Sequence, residues 1–176
     1  EHHSNIVPWQ MLCEKTGATM KVIPIKNDGT LDIDEYKSML NPKVKFVFVN
    51  HVSNTLGTIN PIELIIELAH KNNSQVLIDG AQGAAHLKIN LKELNVDYYV
   101  ASAHKLCGPT GVGFLYGKTE LLKSLPAYQG GGEMISNVTF EKTEYADLPH
   151  KFEAGTPNIA GVIAVSYTHL RAHETT

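Results

Sequence analysis

Three short apolar runs in this chain each end on a cluster of polar, chemically capable residues. Residues 44–49 lead into Asn50-His51-Val52-Ser53-Asn54, Val76-Leu77-Ile78 leads into Asp79-Gly80-Ala81-Gln82, and the run from 97 leads into Ser102-Ala103-His104-Lys105. A run this short and this densely apolar suits a strand covered on both faces, because neither side of its pleat has to meet water. Segments with helical spacing separate the runs. The chain is therefore expected to be α/β, with a mixed, mostly parallel sheet flanked by helices. In open sheets of this kind ligands bind beyond the carboxyl ends of the strands, so the three polar clusters should converge on one site.

The remaining signals place the connections. Ser4 or Asn5 can cap a helix that carries Pro8 in its first turn and stops at Gly17, with Ile6, Trp9, Leu12 and Cys13 at helical spacing. Cys13 is expected in the core. Residues 19–25 read as a strand, Asn27-Asp28-Gly29 as a turn, and 32–40 as a short amphipathic helix begun by Asp32 or Asp34. Pro61 opens a helix reaching about Asn72, with Ile62, Ile65, Ile66 and Ala69 on one face. A helical turn at 91–95, an antiparallel strand at 113–117 and a helix at 121–125 follow. From 126 to 157 the periodicity is lost around the hinge-like Gly130-Gly131-Gly132, and a connection of this length reads as a lid, a binding loop or an interface arm.

Charge and cysteine usage narrow the class. A net charge of −3 over 176 residues offers neither the basic footprint of a nucleic-acid binder nor a polybasic membrane signal. No apolar run approaches the roughly 20 residues of a membrane span. The two cysteines, Cys13 and Cys107, stand far apart and outside any CxxC pattern, which favours a reducing, cytoplasmic setting over a disulfide framework. Outside the last eleven residues the histidines show no HxxxH or HExxH spacing, so no metal site is expected. Residues 108–113 are glycine-rich without the GxxxxGK[ST] pattern of a nucleotide loop.

The polar clusters have the residue types that a pyridoxal-phosphate site requires. The cofactor needs an amine, which Lys105 would supply as a Schiff base. It needs a carboxylate to keep its ring nitrogen protonated, and Asp79 fits that role. Asn54 and Gln82 are candidate donors to the phenolic oxygen, Ser102 and His104 to the phosphate, and His2 is suited to stack on the ring. His3 reads as structural and Cys107 as a small apolar filler rather than a nucleophile.

The motifs EHHSNIVPWQ at 1–10, HVSNTLG at 51–57, DGAQ at 79–82, His104-Lys105 followed by GPTG at 108–111, and EAGTPN at 153–158 resemble the class V aminotransferase family. Within it they are most similar to the cysteine desulfurase/selenocysteine lyase branch of the SUF type, over residues 1 to about 165. The resemblance implies the large domain of a fold-type I pyridoxal-phosphate transferase. It assigns Lys105 and His2 catalytic roles, and cofactor binding to Lys105, Asp79, His2, Asn54, Gln82, Ser102 and His104. It implies that Thr156 reaches the phosphate of the other subunit of a homodimer, and that the loop at 130–134 is an interface segment.

For the full-length enzyme the resemblance implies conversion of L-cysteine to L-alanine with an enzyme persulfide, whose sulfur passes to an acceptor protein for iron–sulfur assembly. Selenocysteine lyase or transaminase activity, and an inactive fragment, are the alternatives. The family's nucleophilic cysteine and substrate-binding arginine have no counterpart here, so residues 1–165 are expected to be a large domain truncated at both ends. The chain begins at Glu1 within a polar cluster, and residues 166–176, SYTHLRAHETT, change character abruptly and read as a non-native tail.

Overall fold

The structure is a computed structural model that describes residues 1–174, with side chains described through 168. A 3₁₀ turn, His3–Asn5, leads into α1 (Val7–Thr16), which ends on Gly17 in the left-handed conformation at φ 73°. After an irregular stretch come α2 (Ile33–Met39), β1 (Phe46–Asn50), α3 (Ile62–Lys71) and β2 (Gln75–Asp79). The chain continues with α4 (Gly83–His86), α5 (Leu91–Leu94), β3 (Tyr98–Ser102), a 3₁₀ turn at Ala103–Leu106, β4 (Gly113–Gly117) and α6 (Thr119–Ser124). A hairpin of β5 (Ile135–Val138) and β6 (Thr143–Tyr145), a 3₁₀ turn at His150–Phe152 and α7 (Ile159–Glu174) complete it. α7 runs on through residue 166, where the tail was expected to begin, and Thr175 and Thr176 lie outside the described residues.

The sheet has the order β1-β2-β3-β4, parallel across the first three strands and antiparallel at β4. This is the expected mixed, mostly parallel α/β arrangement. One face is sealed by α3, whose Ile62, Ile65, Ile66 and Ala69 are at most 3% exposed and pack against Val47, Val49, Val76 and Ile78. Each such isoleucine contributes about 1.5–3 kcal/mol by leaving water. α2 joins this core through Tyr36, whose hydroxyl donates to the Ile65 carbonyl at 3.0 Å and whose phenol burial pushes up to about 12. Asp32 starts α2 by accepting from the N–H groups of Asp34 and Glu35. The other face is only partly covered: Trp9 of α1 stacks on Phe48 at 3.6 Å, and Phe46 lies parallel to Phe48 at 5.6 Å.

Several expectations fail for physical reasons. Residues 19–25 form no strand; they make a single bridge, Ile25 to Leu31, and leave Val22 and Ile25 exposed, because no neighbouring strand takes up their backbone groups. Neither Ser4 nor Asn5 caps α1. The Ser4 hydroxyl turns to His2 Nδ1 at 2.7 Å, and the Asn5 amide oxygen accepts from Trp9 Nε1 at 2.9 Å. Cys13 is half-buried rather than core. The aperiodic stretch contains the β5–β6 hairpin, whose strands are nearly all exposed and so carry no in-out alternation to read.

Opposite the carboxyl ends of the parallel strands, Asp97 holds four elements together. Its carboxylate accepts from the Val76 N–H, His70 Nε2 and Lys118 Nζ, each at 2.8 Å, which ties α3, β2, β3 and the β4–α6 connection. Burial alone would push this carboxyl up, but the three donors outweigh it and hold Asp97 below the ordinary aspartate value. A carboxyl whose pKa falls on folding contributes stability above its unfolded value of about 3.9 and loses that contribution as pH drops through the lower folded value. Asp97→Asn is therefore expected to cost about 2–3 kcal/mol in urea denaturation at neutral pH. The gap between mutant and wild type should close as the pH is lowered below about 4.

Candidate functional site

The parallel register decides what meets at the top of the sheet. Asn50 pairs with Asp79 across β1 and β2, and Asp79 pairs with Val100 across β2 and β3. One further rung follows, with the His51 N–H donating to the Asp79 carbonyl at 2.9 Å and the Gly80 N–H to the Val100 carbonyl at 2.8 Å. Beyond that rung the chains diverge and leave a pocket of about 270 Å³. It is close to the lower end, about 300 Å³, of ordinary small-molecule sites. His2, Asn54, Asp79, Gln82, Ser102, His104 and Lys105 all line it. Ser4, Asn50, Val52 and Ala81 line it too; no site role was read for them from the sequence, although all four lie inside the polar clusters there. Thr156 does not line the pocket; it is exposed in the segment ahead of α7.

Each wall is set by a local device. Asp79 ends β2, half-buried, with Oδ1 accepting from the Ala81 N–H at 3.0 Å in a turn that keeps the carboxylate at the strand tip. Ser102 ends β3, and the 3₁₀ turn that follows presents His104 to solvent and leaves Lys105 half-buried. That turn closes through the Cys107 and Gly108 N–H groups to the Ala103 carbonyl, the latter at 2.9 Å, with Cys107 left-handed at φ 61° and exposed. Lys105 makes no ion pair or hydrogen bond among the described residues, which leaves its amine available. No group of three or more His, Cys, Asp or Glu side chains suited to a metal ion occurs among the described residues.

The turn carrying Asp79 and Gln82 rests on two buried rings. Tyr99 is 1% exposed, and its hydroxyl is 3.2 Å from Nδ1 of buried His51, the rings meeting edge to face. Burial holds the His51 imidazole below its ordinary value against the opposing Glu63 carboxylate, so it is neutral near pH 7. Burial, helped by the Asp79 charge, pushes the Tyr99 phenol up, so it keeps its proton. Gly80 and Gly83 sit directly against these rings. A Cβ on Gly80 would lie 1.9 Å from Tyr99 Cε1, and one on Gly83 would lie 2.6 Å from His51 Nδ1.

Comparison with known proteins finds close relatives of this chain. The aminotransferase class-V family model matches residues 1–169. A cysteine desulfurase from Cronobacter sakazakii is 51% identical over 166 residues, which is 94% of this chain and 41% of that protein. Among solved structures, the cysteine desulfurase CsdA from Escherichia coli, in its S-sulfonic acid form, superposes with a TM-score of 0.93 at 40% identity, over 96% of this chain and 42% of that one. The apo cysteine desulfurase from Thermococcus onnurineus superposes at 0.91 with 36% identity, over 96% and 42%. The chain thus spans about two fifths of the length of each of these relatives.

The platform under the pocket gives a direct check. Gly80→Ala must displace the Tyr99 ring and should destabilise the chain by about 2–3 kcal/mol in urea denaturation. Gly130→Ala, where a Cβ meets nothing within 4 Å, should stay within about 0.5 kcal/mol of wild type.

Proposed function

Since the chain belongs to the aminotransferase class-V family, we propose that its strand-end pocket binds pyridoxal phosphate and that the complete enzyme is a cysteine desulfurase. The observation that carries this reading is that Lys105 and Asp79, from the ends of adjacent parallel strands, face one pocket of about 270 Å³ together with five further polar side chains of the expected types.

The donor set fits the cofactor group by group. The Lys105 amine would hold it covalently and, when released, carry a proton to and from the substrate α-carbon. The Asp79 carboxylate, one oxygen already committed to the Ala81 N–H, would use the other to keep a proton on the ring nitrogen. Asn54 and Gln82 offer neutral amide donors for the phenolic oxygen. Ser102 and His104 flank the lysine with hydroxyl and imidazole for the phosphate. His2 offers an aromatic face at the mouth, and Thr156, outside this pocket, would serve the partner site in a homodimer. Bound there, pyridoxal phosphate supplies the electron sink that L-cysteine needs at its α-carbon for loss of its sulfur.

In this reading residues 1–165 form part of the large domain. The complete enzyme converts L-cysteine to L-alanine, leaves a persulfide on a cysteine that this chain does not contain, and hands that sulfur to an acceptor protein. The free thiols Cys13 and Cys107 agree with a cytoplasmic setting, and no helix among the described residues is long and apolar enough to cross a membrane.

Incubation of the chain with pyridoxal phosphate, borohydride reduction and peptide mapping should give one labelled peptide, at Lys105. Lys105→Ala should abolish the label, and Asp79→Asn should weaken cofactor binding by roughly 10–100-fold, the value of a hydrogen bond to a charged group. A label spread over other lysines, or an affinity indifferent to Asp79, would refute the assignment. Lacking a counterpart of the family's nucleophilic cysteine, the chain should release no sulfide from free cysteine above background.

A further inference from the structure

Resting on the pyridoxal-phosphate reading of the pocket, we propose that Glu1 is a positioning residue, whose carboxylate clips the segment carrying His2 onto the loop carrying Asn54. Glu1 is exposed and, in sequence, simply opens a polar cluster. In three dimensions it bridges residues 49 and 52 positions away: Asn50 Nδ2 donates to Oε2 and Ser53 Oγ donates to Oε1, both at 2.8 Å.

The direction of both bonds is set by the rest of the network. Ser53 is 7% exposed, and its oxygen already accepts from the N–H groups of Thr55 at 3.2 Å and Leu56 at 2.8 Å, so its single proton is left for Glu1. Asn60, 5% exposed, donates its amide to the Asn50 carbonyl at 2.9 Å and to Asn50 Oδ1 at 3.1 Å, which turns the Asn50 amino group towards Glu1. Two oriented donors thus converge where only an acceptor-only group satisfies both, and an ionised carboxylate is that group. Burial works against the charge, yet the side-chain bonds from Ser53, Thr55 and Asn50, together with the adjacent α-ammonium, hold Glu1 below its ordinary value.

The clip acts on two pocket walls. Asn54 follows Ser53 directly. His2 follows Glu1 directly, and its own hydrogen bonds and ring contact are local, to Ser4 at 2.7 Å and to the His3 ring at 6.2 Å. α1, which follows the 3₁₀ turn, buries no residue and is anchored through Trp9 on Phe48, neither of which lines the pocket. Glu1 is therefore the tie that relates the His2 ring to the strand end across which a bound ring would lie.

The test compares Glu1→Gln and Glu1→Asp with the wild-type 176-residue chain. Glutamine keeps the size but turns a donor towards a donor; aspartate is too short to reach both partners. In the ligand-free chain, the His2 imidazole NMR signals, assigned by their loss in His2→Gln, should move towards free-histidine positions in both variants. With pyridoxal phosphate, the dissociation constant should rise roughly 3–10-fold, the scale of one charged hydrogen bond partly replaced. The visible circular dichroism of the bound cofactor, which reports ring orientation, should lose amplitude, while Tm moves by less than about 2 °C. Unchanged His2 signals, with unchanged affinity and dichroism, overturn the proposal. So does a fall in Tm with affinity and dichroism intact, since that describes a purely structural residue. If the wild-type chain takes up no cofactor at Lys105, the reading of the pocket fails, and the His2 signals alone decide the clip: movement supports it, and no movement overturns it.

Discussion

The in-register parallel pairing of β1, β2 and β3 is the constraint on which the rest depends. Because Asn50, Asp79 and Val100 stand level, and β3 runs only two residues further to Ser102, three loops leave the sheet at the same end. A slip of one residue would reverse the faces of every side chain in the slipped strand, sending Val76 and Ile78 out of the core. The register is thus protected by hydrophobic burial against α3, and the chemistry at the strand tips inherits that protection.

The two ends of the sheet spend their polar groups differently. At one end Asp97 accepts from three donors in three other segments, an arrangement that holds those elements together. At the other end Asp79 has one oxygen committed, Lys105 has no partner among the described residues, and the amides and hydroxyls around them face a pocket. Beneath that pocket, the neutral His51 and protonated Tyr99 give the Asp79–Gln82 turn a rigid support that adds no further charge to the site.

Much of this was legible along the chain. Ile62, Ile65, Ile66 and Ala69 mark their helix face because a helix buried on one side must repeat its apolar residues, and all four are buried. The apolar runs ending at Asn50, Asp79 and Ser102 are strands because their middles contact the core. Residues 19–25 have strand-forming composition but no partner strand, and composition cannot supply one. The β5–β6 hairpin was illegible because its two faces are not distinguished by burial. Ser4 and Asn5 were plausible caps by type, but His2 and Trp9 compete for their side chains more effectively than the helix end does.

The linear sequence by itself determined the α/β class, the strands that carry chemistry, and the residue types at their tips. These follow from local periodicity and from the abrupt change of polarity where a buried strand surfaces. Only the tertiary structure decided that His2 shares a wall with Lys105 and that Thr156 does not. It alone showed that Gly80 and Gly83 are required by the rings behind them, and that Glu1 answers two donors some fifty residues away. Such relations depend on how separate segments are packed side by side, and no local pattern encodes a distance between them.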